Sequence, residues 1–191
     1  MNQGFAACRA NEYLCFWGSD DWFPAPTVLE DLVASLDKSF LEGLCPDLLV
    51  CSGCYIDSSS GIRARLANFT KPGILCMSEF RKFLFMGSTP PHQASLIGPN
   101  IRAKLNCYTS GFRLSADLDY FLRLSSYSGF VVECIDIEMV HMSDGGISGL
   151  QTQRRLHEVS HAYSLAFGWR WLFPFVLRYA RRLASRLMSN S

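Results

Sequence analysis

The 191-residue sequence predicts a mixed α/β fold, and three observations lead there. Short apolar runs of strand length are followed by runs whose apolar residues recur at helical spacing. Turn residues separate the two kinds of run. An apolar fraction of 49% with 18% charged residues and only 8 Pro supplies a core for one domain and excludes a disordered chain. No internal repeat or low-complexity tract interrupts it.

Glu12 to Trp17 is predicted as an aromatic-rich strand, ended by Gly18-Ser19-Asp20-Asp21. After Pro24 and Pro26, Thr27 and Glu30 have capping-box spacing, and Leu29, Leu32, Val33, Leu36 and Phe40 follow at helical intervals, so a helix is expected over 27–40. Asp47 to Cys51 reads as a short buried strand, with a second around Tyr55-Ile56. Between Ser58 and Pro91, glycines and prolines mark loops around a short helix at Ser78 to Phe85. Helices are expected at Asn100 to Leu105 and Asp117 to Ser126, and a strand at Phe130 to Ile137. Gly145-Gly146 marks a turn, and Gln151 to Ala166 is helical. Beyond Pro174, Val176, Tyr179, Ala180, Leu183 and Leu187 share one helical face, and Arg178, Arg181, Arg182 and Arg186 share the other.

Formal net charge is +1, which argues against a generally basic nucleic-acid binder. The total conceals an uneven distribution. Through Ser148 there are 11 basic and 16 acidic residues, whereas from Gly149 onward there are 7 Arg against the single acid Glu158. This basic tail lacks interleaved base-stacking motifs, so no nucleic-acid partner is expected. Its arginines with Trp169, Trp171, Phe173 and Phe175 suit either a helix lying at an anionic membrane surface or one packed on the body. Ala166 to Leu177 is too short and interrupted to span a bilayer, and the N-terminus has no signal-peptide pattern. The 8 cysteines are scattered, several in apolar runs, and read as reduced, buried small hydrophobes. The expected location is cytoplasmic, with peripheral association at the inner membrane face.

Two acidic segments carry candidate chemistry. Asp20 and Asp21 follow a predicted strand, where ligands collect in open α/β sheets. Paired carboxylates there suit a magnesium or manganese ion with positions left for phosphate oxygens. The alternative is a turn in which either acid caps local N–H groups. Asp117 and Asp119 lie two apart on a helix and cannot share a face. Asp117 at the helix start could serve as a general base or merely favour the helix dipole, while Asp119 is placed to pair with Arg123. Cys51-x-x-Cys54 with His157-x-x-x-His161 is arithmetically a zinc set, but its pairs are about 100 residues apart, and buried thiols with surface histidines explain it better.

Taken in order, these pieces form a pattern. Met1-Asn2-Gln3-Gly4, the segment Glu12 to Phe23, Pro91-His92-Gln93-Ala94, Gly111 to Asp119, Leu122-Arg123 and Gly145-Gly146-Ile147-Ser148 together resemble the family 2 glycosyltransferases of the GT-A fold, especially bacterial polysaccharide and lipopolysaccharide transferases. The resemblance runs from Met1 to about Leu150 and corresponds to the C-terminal two-thirds of the family's domain. Its N-terminal nucleotide-binding portion has no counterpart here, and residues 151–191 form a helical basic extension. Gly18 and Ala116 depart from the family pattern, which often has Asp or Asn at the first position and Glu at the second.

The resemblance implies inverting transfer of a sugar from a nucleotide-diphosphate donor to a glycan or lipid-linked acceptor in surface-glycan synthesis. Asp20 would ligate the divalent cation, with Asp21 beside it, and Asp117 would deprotonate the acceptor. Asn2, His92, Gln93, Asp119, Gly145 and Gly146 would contact substrate. The alternative function is an inactive remnant that acts at a membrane or as an interaction protein.

Overall fold

A computed structural model describes residues 1–144 and 151–189. In chain order the elements are α1 (Asn2–Ala7), β1 (Asp21–Trp22), α2 (Val28–Leu41), β2 (Leu48–Asp57), β3 (Arg63–Ala67), β4 (Gly73–Cys76), α3 (Met77–Phe85), β5 (Ser95–Ile97), α4 (Pro99–Lys104), α5 (Ala116–Leu124), β6 (Val131–Asp144), α6 (Thr152–Phe167) and α7 (Leu172–Ser189). Single 3₁₀ turns occupy His92–Ala94 and Gly168–Trp171.

The centre of the six-stranded sheet is the parallel pair β2–β6. On the outer edge of β2, β5 pairs with its first half and β3 with its second, both antiparallel. On the outer edge of β6, β4 pairs near its start and β1 near its end. Asp47 aligns the central pair: its N–H donates to the Val131 carbonyl and its Oδ2 accepts the Val131 N–H, each at 2.8 Å. Along β2 the alternation sends Leu48 and Val50 into a core with α3, α5 and α6, and Leu49 and Cys51 into a second core with α2. Both faces are therefore covered, which is why this strand reads as an unbroken apolar run.

Most helices fall where their spacing places them, and the strands differ more. Thr27 stands at the N-cap of α2, but its hydroxyl donates to Asp31 Oδ2 at 3.2 Å and no capping hydrogen bond forms. The two expected segments at 47–51 and 55–56 are one ten-residue strand. Strands β3 and β4, in the stretch read as loops, are short edge strands, β3 partly and β4 largely exposed. The run Glu12 to Trp17 is extended but joins the sheet only at Leu14, which exchanges both backbone hydrogen bonds with Ile97 at 2.8 and 2.9 Å. Buried Arg102 holds the preceding turn through the carbonyls of Arg9, Ala10 and Glu12.

The C-terminal helices belong to the same core as the body: Val159, Ala162 and Tyr163 of α6 are buried with Leu118, Phe121 and Leu122 of α5. On α7 the expected division of faces holds only in part. Arg178 is buried and Phe175 and Tyr179 pack on the core, while Val176 and Leu183 point outward. No described helix is long and apolar enough to cross a membrane.

Candidate functional site

The register Asp21↔Met142 and Trp22↔His141 puts the acidic turn at the carboxyl end of the parallel pair. Asp21 Oδ2 accepts the Gly18 N–H at 2.8 Å, so it does cap its own turn. Yet the same oxygen and Asp20 Oδ1 face one small space: a Cβ at Gly18 would lie 2.4 Å from the first and 3.3 Å from the second. Burial, and then the neighbouring Asp20 charge, push the Asp21 carboxyl above its ordinary range despite the Gly18 hydrogen bond. A hard cation between these two oxygens would offset their like charge, and the small residue at position 18 would leave room for it. Among the described residues no group of three or more His, Cys, Asp or Glu side chains gathers as a metal cluster, so such an ion would keep water or ligand oxygens.

Asp117 stands in the first turn of α5, half-buried, and lines a cleft of about 530 Å³ with His92 and Gln93. Glu158 of α6 sets the approach to that helix. Its Oε2 accepts the N–H groups of Arg113, Leu114 and Ser115 at 3.1, 2.7 and 3.0 Å, and Arg154 Nε donates to its Oε1 at 3.0 Å. Burial alone would raise this carboxyl, but these donors outweigh it and hold the pKa below the usual carboxylate range.

His92 is clasped by aromatic groups. Phe16 stacks on it with ring centroids 5.4 Å apart, and its Nε2 meets the Tyr108 hydroxyl. Burial lowers the His92 pKa, against the pull of the nearby Asp117 carboxylate, and burial raises that of Tyr108. A neutral imidazole accepting from a protonated phenol is the consistent assignment. The acidic turn and the cleft are joined through Cys15, whose thiol donates to the Gln93 carbonyl at 3.5 Å.

The same cleft also has a basic lining. Arg65 on β3 stacks over Tyr55 at 4.1 Å from the ring centre, and Arg178, Arg181 and Arg182 of α7 complete the lining. Tight docking brings α7 there: a Cβ at Gly87, whose φ is +79°, would lie 2.5 Å from the Arg178 nitrogen. Arg178 Nη1 donates to Thr89 Oγ1. Sequence reasoning did not place Glu158, Tyr108, Arg65 or the tail arginines in the site. The capping acid was visible only as the single negative charge of the tail.

The other expected residues are placed as follows. Asn2 clamps the Tyr108 backbone, accepting its N–H at 2.8 Å and donating to its carbonyl at 3.2 Å, and is not part of the cleft lining. Asp119 is buried and its Oδ2 accepts from Thr109 Oγ1 at 2.6 Å and Arg123 Nε at 2.9 Å. Gly145 and Gly146 lie outside the described residues. Cys51 and Cys54 are buried in β2, whereas His157 and His161 stack on each other on α6. Cys45, Cys76 and Cys107 are exposed, unlike the buried thiols their surroundings suggested.

A central parallel pair with antiparallel flanks and helices on both faces is a mixed α/β architecture consistent with part of a nucleotide-sugar transferase fold. Among solved structures the chain is similar to residues 1–349 of TarS from S. aureus, in complex with UDP-GlcNAc, with a TM-score of 0.57 at 10% identity over 96% of this chain and 52% of that one. At that identity the likeness is one of fold, and this chain spans about half the length of its neighbour. No protein-family model and no curated protein matches the sequence.

Proposed function

We propose that the chain carries the acceptor-activating part of a family 2 glycosyltransferase that moves a sugar from a nucleotide-diphosphate donor to a glycan or lipid-linked hydroxyl, with inversion. The observation that carries this reading is the Asp117 carboxylate on the wall of a cleft beside His92 and Gln93, in a glycosyltransferase-like fold. Asp117 accepts the acceptor hydroxyl proton as that oxygen attacks the anomeric carbon. The new glycosidic C–O bond forms on the face opposite the departing diphosphate, whose oxygen keeps the electron pair of the broken bond. Neutral His92, held by Tyr108 and Phe16, shapes the cleft without competing for that proton. Asp20 and Asp21 are the residues that would hold a magnesium or manganese ion. When bound, such an ion supplies neutralisation of charge on the diphosphate.

The test is turnover of nucleotide sugars by the full chain and by Asp117→Asn. The base reading requires a loss of about 10²–10⁴-fold with unchanged far-UV circular dichroism. Equal rates in the two proteins reject it.

A second reading, peripheral membrane binding, is favoured by the outward apolar stripe Trp169, Leu172, Phe173, Val176 and Leu183, of which Trp169 is 90% exposed. This stripe, rather than the arginines, would enter the lipid interface, on the cytoplasmic side in the expected location. Flotation with anionic vesicles distinguishes it: a Trp169→Ser, Phe173→Ser variant that floats like the parent removes the membrane role.

A further inference from the structure

The arginine wall of the cleft is more than the solvated face of a helix. Arg178 is only 9% exposed, and its Nε is buried with no hydrogen-bond partner in the structure, while its Nη1 is anchored on Thr89. None of the five ion pairs among the described residues involves Arg65 or Arg178. The guanidinium of Arg182 is pushed down to about 10, first by burial and then by Arg178, with Arg155 and Arg65 adding to the effect. Arg178 and Arg182 thus line the cleft together with Arg65, although outward positions on the same helix are taken by Val176 and Leu183.

We propose that this cleft, which Asp117 also lines, binds a phosphoryl group held by Arg65, Arg178 and Arg182. Guanidinium forks match phosphoryl oxygens in paired hydrogen bonds, and the delocalised charge tolerates burial better than an ammonium does. Several converging guanidiniums call for a ligand with more than one negative charge, which a single carboxylate does not supply. Arg178 is pre-positioned by Thr89 and by the close seat of α7 on Gly87, so little order is lost on binding. The inference rests on the transferase reading of the same cleft for the source of the group: either the diphosphate of the nucleotide donor or a phosphate carried by the acceptor.

The experiment is calorimetric titration of the full chain at low ionic strength with inorganic pyrophosphate, UDP and glycerol 1-phosphate. It is repeated on Arg65→Ala, Arg182→Ala and the double variant, each checked for folding by circular dichroism. Pyrophosphate affinity is expected to fall about tenfold in each single variant and further in the double. Tighter arginine-dependent binding of UDP than of glycerol 1-phosphate assigns the group to the donor, and the reverse order to the acceptor. A parent that binds none of the three, or a folded double variant with parental pyrophosphate affinity, overturns the proposal. Arginine-dependent binding without turnover of any nucleotide sugar keeps the phosphoryl site and removes the transferase reading. Turnover with arginine-independent binding does the opposite.

Discussion

Glu158 Oε2 accepts the Leu114 N–H at 2.7 Å, and through that bond and its two neighbours a single carboxylate on α6 sets where α5 begins. Asp117 follows three residues later in the chain, so its place on the cleft depends on an acid that does not line the cleft itself.

Glu158→Ala leaves three backbone donors and Arg154 without their acceptor, and it should lower unfolding stability by about 3 kcal/mol. Because the folded-state pKa of Glu158 lies below its unfolded value, its contribution is complete above the unfolded carboxylate range. It is lost as pH falls through the folded value. Urea melts of the parent and Glu158→Gln should therefore differ most near neutrality and converge in acid. A gap that widens on acidification contradicts this assignment.

Asp117 and Asp119 should separate activity from stability. Asp119→Ala strands Thr109 and a partly buried Arg123, at a cost of about 3 kcal/mol, read as a lowered melting temperature. Asp117→Asn should melt within about 0.5 kcal/mol of the parent.

Gly87→Ala adds a Cβ 2.5 Å from the Arg178 nitrogen at a position where φ is +79°. It should destabilise the chain by roughly 1–3 kcal/mol and loosen α7. Limited trypsin digestion followed by mass spectrometry measures this as faster cleavage after Arg178, a site buried in the parent.

At Gly18→Ala the new methyl group would occupy the space that Asp20 Oδ1 and Asp21 Oδ2 face. If these carboxylates hold a divalent ion, manganese affinity followed by electron paramagnetic resonance should drop at least about tenfold, since both donors must move. Parental affinity in this variant would place the ion elsewhere.

Several of these features were legible before any coordinates. Two residues of separation on a helix already assigns Asp117 and Asp119 to different surroundings, and the structure has one on the cleft and the other buried against Arg123. The acids after Trp17 do lie at the end of the parallel pair, although the run before them joins the sheet only at Leu14. That run meets a three-residue strand at one residue and is at most half-buried, so its aromatic content signalled neither a ladder nor full burial.

Periodicity and turn chemistry are local properties, so the sequence by itself determined the alternation of apolar runs, the positions of most helices and the spacing of the two acidic motifs. Which way α7 faces was decided only by its docking surface. Thr89 and the open backbone at Gly87 receive Arg178, and an apolar stripe is left outside. Glu158 finds its acceptor role 44 residues from Leu114, and Arg65 of β3 joins the tail arginines in lining the cleft. Charges acquire partners through contacts between distant segments, and no local pattern encodes those contacts. The sequence therefore announced a basic tail, and tertiary packing turned part of its charge inward toward the acid.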